Sequence, residues 1–315
     1  MAKLNAPLGS FSASGSLGPR LVYQTAKGKS LVRHQKAQKD RITPARIDQR
    51  SLFAVCVSRW KSLTNNEKLA YVIPAQKAQL TTYAYFVKSA LTDPKSHLGL
   101  IAFYGFNQSG QPVVKDLSKN GNAVDLEPNY PTDAPTYVQS KDQKMGKALD
   151  FDGSNDYAIG TKNLGITGDA EFTMEALIKW TGSSWSNNFP SFMGNNSVGI
   201  TNKGLSFTVQ SGRPALDFWD YRIRTIDTLE VNTWYHLLAT KTPGTKRETT
   251  KIYVNGLEVS TVLEGSNAAP NIIDQPPVIG RLDSNRGFNG LIDNVRYYNR
   301  ALISAEAYRN SQITY

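Results

Sequence analysis

Gly146-Lys147-Ala148-Leu149-Asp150-Phe151-Asp152-Gly153-Ser154-Asn155-Asp156-Tyr157 is the stretch whose reading decides the fold. Residues 148–151 make a short β-type run. Asp152-Gly153 follows at once, a strong turn signal because glycine enters left-handed backbone at no steric cost. Working outward, the same pattern recurs at 100–106, Phe172–Trp180, 205–210, 234–239, 251–254 and 291–298, where β-branched and aromatic runs alternate with clusters of Gly, Asn, Asp, Ser and Pro. Asn255-Gly256 is a second hairpin signal between apolar runs. Helical periodicity almost vanishes after Leu98. Many short strands at regular spacing predict an antiparallel β-sandwich over residues 98–315.

Before Leu98 the pattern is different. Gly9, Gly15, Gly18 and Gly28 punctuate residues 1–35, and Leu21-Val22-Tyr23 and Leu31-Val32 read as strands of a hairpin closed by Ala26-Lys27-Gly28-Lys29. A helix is predicted from about Pro44 to Leu63, with Phe53, Cys56, Val57, Trp60 and Leu63 at helical spacing. Thr64-Asn65-Asn66-Glu67 is a capping box opening a second helix, expected to stop before Pro74. A third is expected from about Leu80 to Leu91. The predicted organisation is a small α+β domain of β-hairpins and about three helices at 1–93, a linker at 94–97, and the sandwich at 98–315. The chain's 315 residues suffice for two such cores.

The formal net charge of +10 is unevenly placed: residues 1–95 hold 16 Lys+Arg against 4 Asp+Glu, so +12, and the remainder carries −2. That asymmetry fits an acidic partner for the first third or a merely solvated basic surface. The single cysteine, Cys56, excludes an intrachain disulfide and sits in an apolar run as a small core residue. MAKLNAPLGSFSASGS contains no apolar signal segment, so synthesis in the cytoplasm without export is expected. No run approaches the roughly 18 apolar residues of a membrane span.

Taken in order, several blocks resemble the laminin-G-like family of the concanavalin A-like lectin and glucanase superfamily. They are Leu100-Ile101-Ala102-Phe103-Tyr104-Gly105-Phe106, Asp116-Leu117-Ser118-Lys119-Asn120-Gly121-Asn122, the 146–157 stretch, Phe172-Thr173-Met174-Glu175-Ala176, Asn232-Thr233-Trp234-Tyr235-His236-Leu237, Ile252-Tyr253-Val254-Asn255-Gly256, and 288–302. The resemblance implies a jelly roll of two packed sheets that binds glycans or proteins, with a frequent structural calcium ion. The first third, through 8–18, Leu21-Val22-Tyr23, Val32-Arg33, Gln49-Arg50, Trp60, Leu63-Thr64 and Glu67-Lys68, resembles a small domain of tailed-phage structural proteins. In that family a Pro-rich stretch usually follows the Val-Arg pair; here Lys36-Ala37-Gln38-Lys39-Asp40-Arg41 stands there. Trp60 to Tyr71 also resembles the second helix junction of HMG boxes, but the Gly-rich opening does not belong to that fold.

Candidate chemistry is sparse. Glycoside hydrolysis needs two carboxylates facing one cleft, hence acidic residues two apart on a strand. Phe172–Trp180 offers only Glu175 and 291–298 only Asp293. His34, His97 and His236 form no metal-ligand pair; His236 reads as a structural strand residue. Asp150, Asp152, Asn155 and Asp156 within one turn, together with Asp293, offer oxygen ligands suited to calcium, or act simply as turn formers. Trp185 with Asn187 and Asn188, and Trp219 with Asp220, Tyr221 and Arg222, combine rings with planar polar groups as a sugar platform requires. Trp180 is expected in the core.

The expected function is a non-enzymatic virion structural protein (capsid decoration, head fibre or tail-associated) at the virion surface. Residues 1–35 would dock on other virion subunits, a copy of this chain included, through Leu4, Leu8, Phe11 and Leu17. The sandwich would face a host-surface or environmental glycan. A homo-oligomer is expected, with no membrane or nucleic-acid partner. The alternatives are a cellular glycan-binding or adhesion protein, and a DNA-binding protein with a lectin-like domain.

Overall fold

The computed structural model describes residues 15–17, 21–26 and 29–34 as backbone, part of 53–92, and 99–312 apart from 108–112, 119–125, 129–133, 143–145, 183–188, 196–198 and 283–285. It comprises two compact units, Met1–Ile47 and Asp48–Tyr315. The linker expected at 94–97 lies outside the described residues.

The first unit contains a three-stranded antiparallel sheet of β1 (Gly15–Leu17), β2 (Leu21–Ala26) and β3 (Lys29–His34). Ala26 pairs with Lys29, so β2 and β3 are joined by a two-residue hairpin connection where the sequence placed one. Residues 1–14, with Leu4, Leu8 and Phe11, lie outside the described residues.

The second unit opens with helices. Among the described residues, Phe53, Cys56, Val57, Trp60 and Lys61 are helical. They are followed by α1 (Asn65–Leu69), α2 (Val72–Lys77) and α3 (Thr82–Thr92). Cys56 and Phe86 are buried together against Trp60, Tyr71 and Val87, and Trp60 and Tyr71 each lie 5.2 Å from Phe86 between ring centroids. Thr64, the expected cap, lies outside the described residues. The helix expected to stop before Pro74 does so, α1 ending at Leu69; a separate short helix that the sequence did not announce, α2, then carries Pro74 in its first turn. A first-turn amide has no intrahelical acceptor, so proline costs nothing there.

The sandwich is built of β4 (Leu100–Tyr104), β5 (Leu126–Pro128), β6 (Thr136–Gln139), β7 (Lys147–Asp152), β8 (Ala158–Gly160), β9 (Phe172–Trp180), β10 (Ser191–Asn195), β11 (Ser206–Gln210), β12 (Arg213–Asp217), β13 (Arg222–Thr225), β14 (Trp234–Lys241), β15 (Thr250–Val254), β16 (Leu257–Glu258), β17 (Thr261–Glu264), β18 (Pro277–Ile279) and β19 (Asn289–Tyr298). Helix α4 (Lys246–Thr249) connects β14 to β15, and α5 (Ser304–Ser311) follows β19. One sheet has the order β17-β13-β12-β11-β10-β18-β8-β5; the other runs β16-β15-β14-β9-β19-β7-β6, with β4 also paired to β19. All described pairings are antiparallel.

Alternation builds the core. Phe172, Met174, Ala176 and Ile178 of β9 meet Phe207, Val209, Leu216 and Ile223 of the opposite sheet in one buried cluster. The turns at Asn255-Gly256 and Gly153 take the positive φ values their residues favour (51°, 82° and 82°). The outer face of the β16–β6 sheet is closed, because Leu100, Phe103, Leu238, Tyr253, Tyr298 and Leu302 form a second buried cluster with Ala307 of α5. Among the described residues no helix is long and apolar enough to cross a membrane.

Candidate functional site

The outer face of the other sheet is polar. Strand register sets Ser206, Asp217, Arg222 and Glu264 directly opposite one another across β11, β12, β13 and β17. Side chains opposed in this way share a face; the alternate residues Phe207, Leu216, Ile223 and Leu263 point into the core or pack against it. Arg222 lies between the two acids, with Nε 3.4 Å from Asp217 Oδ2 and Nη1 3.8 Å from Glu264 Oε2. Arg224 Nε adds a 2.5 Å contact to Glu264 Oε1. Asp217 is buried, and its carboxyl is pushed above the usual aspartate range, first by burial; Arg222, Arg286 and the Trp219 amide oppose the shift and Asp220 adds to it.

The row ends at a strained hairpin. Phe218 N–H donates to the Tyr221 carbonyl at 2.8 Å, and the two residues between them, Trp219 and Asp220, have φ of 60° and 68°. Left-handed backbone at two successive non-glycine residues costs free energy that must be compensated by surrounding contacts. The compensation is visible: Trp219 N–H donates to Asp217 Oδ1 at 2.6 Å, Asn202 N–H donates to the Trp219 carbonyl at 3.1 Å, and Thr201 Oγ1 donates to Asp220 Oδ2 at 2.8 Å. The result is a half-buried indole fixed at the edge of the polar face. The Arg286 guanidinium lies 4.2 Å from the Trp219 ring and 5.9 Å from Phe189, whose other guanidinium neighbour is Arg222 at 4.4 Å. Alternating aromatic and guanidinium groups result, held beside the carboxylates of Asp217 and Glu264. Such a surface offers apolar faces edged by fixed donors and acceptors, the complement of a polyhydroxylated ring.

Of the residues singled out from sequence, Trp219, Tyr221 and Arg222 are thus brought together on this hairpin. Trp185, Asn187 and Asn188 lie outside the described residues. Phe189, Asp217, Glu264, Arg224 and Arg286 escaped sequence reasoning. For Asp217 and Arg224 the signal was the two-residue alternation along β12 and β13; for Glu264 and Arg286 no local signal exists. Trp180 lies in the inter-sheet core, and His236 is buried with its ring 3.0 Å from Glu175.

The four candidate calcium ligands are placed as follows. Asp152 Oδ1 accepts from Ser154 N–H at 2.7 Å and Asp156 Oδ2 accepts from Asp152 N–H at 2.9 Å, so these carboxylates cap the turn they belong to. Asp293 is fully buried and accepts from Ser140 Oγ at 2.5 Å. Asp150 is raised by burial and by the charge of Asp152. Among the described residues no group of three or more His, Cys, Asp or Glu side chains is placed to hold a metal ion.

Comparison with known proteins agrees with this architecture. Residues 151–307 match the model of the concanavalin A-like lectin/glucanases superfamily, laminin-G type. The sandwich is a laminin-G-like domain of that superfamily. Among solved structures, domain 4 of an extracellular arabinanase from Geobacillus stearothermophilus, in complex with arabinotriose, is 17% identical with a TM-score of 0.47, the match covering 68% of this chain and 98% of that one. The binding domain of a paraclostridial mosquitocidal protein is 20% identical with a TM-score of 0.49, covering 70% and 52%. A Trypanosoma rangeli sialidase is 18% identical with a TM-score of 0.43, covering 67% and 32%. This chain therefore spans about half of that toxin domain and a third of that sialidase. No curated protein matches the chain.

Proposed function

We propose that the chain is a non-enzymatic virion structural protein whose sandwich binds a glycan on the outer face of the β17–β5 sheet. The observation that carries the glycan reading is the edge of this face at the Trp219 hairpin, where the half-buried rings of Trp219 and Phe189 interleave with the Arg286 and Arg222 guanidiniums. The lectin-type family of the sandwich supports it. The Asp217–Arg222–Glu264 row speaks against hydrolysis. A glycosidase needs one carboxyl protonated and one ionised, with the bond to be cut lying between them; here the Arg222 guanidinium occupies the space between Asp217 and Glu264.

The test is a panel of immobilised neutral and acidic oligosaccharides probed with the full chain. Binding to one class is expected, weakened about tenfold or more by Trp219→Ala, because losing a fixed aromatic surface costs on the order of 1–2 kcal/mol. Retention of full binding by that variant would move the site elsewhere.

The virion role is supported by the resemblance of the first third to a tailed-phage structural domain and by its net charge of +12. Docking on a neighbouring subunit through residues 1–35 would leave the sandwich displayed, in one or several copies. Deleting residues 1–20 is expected to abolish particle incorporation while the sandwich still folds. Full incorporation of the truncated chain would overturn the docking role, and glycan binding without incorporation of the intact chain would favour a cellular adhesion protein.

A further inference from the structure

Lys246, at the start of α4, has no solvent-exposed surface. A buried ammonium is costly unless other groups replace its water. Here Nζ donates to the Ala268 carbonyl and stands 5.1 Å from the centre of the Tyr221 ring and 5.7 Å from that of Phe218. Both rings belong to the hairpin that carries Trp219: they are the residues that close its turn, on either side of the two strained positions. Tyr221 is also packed closely against Gly265, where a Cβ would stand 2.4 Å from its ring. The amine thus lies between the hairpin and the segment 265–268. The charged groups that face it are Lys241 of β14 and Asp169, which pair with each other.

We infer that Lys246 is the positioning residue of the Trp219 site, its charged amine tying the hairpin to the 265–268 segment through Phe218 and Tyr221. The inference rests on the reading of this face as the binding face. A cation–ring attraction exists only in the protonated form. Burial, then the neighbouring Lys241, lowers the amine from 10.5 to about 8, with Asp169 opposing. Two pH effects of opposite sign follow. Above about 8 the folded protein has released a proton that the unfolded chain still holds up to about 10.5, so stability rises with pH in that window. The hairpin meanwhile loses its cation, so the site loosens. A lysine that served stability alone would leave the environment of Trp219 unchanged over this range.

The experiment is a tryptophan-fluorescence titration of the full chain from about pH 6.5 to 9.5, with Trp219→Phe subtracted to isolate the Trp219 signal. A transition near pH 8 is expected in the wild-type chain and is expected to vanish in Lys246→Met and in Lys246→Arg, the latter keeping its charge throughout. Should the methionine variant fail to fold by circular dichroism, the arginine variant decides. A flat Trp219 signal in the wild type, or the same transition in Lys246→Arg, overturns the inference. For an oligosaccharide retained in the panel, affinity is expected to fall about fivefold between pH 7 and 9 while the melting temperature rises. Affinity unchanged over that range counts against the role of Lys246. Absence of any oligosaccharide binding defeats the binding-face reading, and the fluorescence result still judges Lys246 by itself.

Discussion

Replacing Glu175 with alanine is expected to cost the sandwich about 3–5 kcal/mol, the range found when one partner of a buried ion pair is removed. Glu175 lies in the centre of β9, fully buried beneath α5. Its Oε1 accepts from Arg296 Nη1 at 2.6 Å and lies 3.0 Å from His236 Nε2; its Oε2 accepts from Asn310 Nδ2 of α5 at 2.9 Å. Burial alone would raise this carboxyl, but Arg296, the His236 bond and Asn310 outweigh it and hold it down at about 2. Alanine would leave the Arg296 guanidinium, 2% exposed and 4.5 Å from the Phe103 ring, buried without this carboxylate. It would also take from α5 the acceptor that Asn310 uses. Glu175→Gln keeps the shape and part of the bonding, so a smaller loss is expected. Urea unfolding followed by the near-ultraviolet signal reads both; a loss below about 1 kcal/mol for alanine would mean the cluster is not coupled to sandwich stability. Because the carboxyl is depressed, its contribution is present above about 4.5 and disappears as pH falls through about 2.

Asp293 should behave in the opposite sense. It is as deeply buried as Glu175 and lies on β19, which pairs with β9. Burial lifts its carboxyl from 3.8 to about 7; the bonds from Ser140 Oγ and Asn294 N–H, and the more distant Arg296, oppose but do not cancel this. The folded protein therefore holds a proton that the unfolded chain releases above about 3.8, so stability falls as pH rises from about 4 to about 7 and is level beyond. Over that window the difference corresponds to roughly 4 kcal/mol. Asp293→Asn resembles the protonated carboxyl and cannot ionise. Urea midpoints measured between about pH 4.5 and 7.5 should fall in the wild type and stay nearly level, from this position, in the variant. Equal slopes in the two chains would mean Asp293 is ionised throughout.

Much of the fold was legible because its signals are local. A two-residue period is written in consecutive side chains, so Phe172–Trp180 and Leu205 to Gln210 announced their strands. Asn255-Gly256 announced its turn because few other pairs accept two successive left-handed conformations. Trp219, Tyr221 and Arg222 could be grouped from sequence for the same reason, being neighbours in one short hairpin.

Other readings depended on what the chain could not display locally. The short helix α2 went unread because a restart after Tyr71, whose ring packs against Trp60 and Phe86, is not visible in helical period. Asp150, Asp152, Asp156 and Asp293 read as one set of oxygens in sequence, which could not display that the turn's own amides bond two of them and that Asp293 is buried. Glu264 faces Arg222 only because β17 lies beside β13, and Arg286 and Lys246 reach the same hairpin from segments far along the chain. Glu175 and Asp293, both acids buried near the middle of one sheet, titrate on opposite sides of the ordinary carboxyl range. The amino-acid sequence by itself determined where strands and turns form, since those follow from backbone preference and alternation along a few residues. Tertiary structure alone decided which distant side chains share a face and which charges find a partner, because strand order and burial set the distances and local polarity on which those interactions depend.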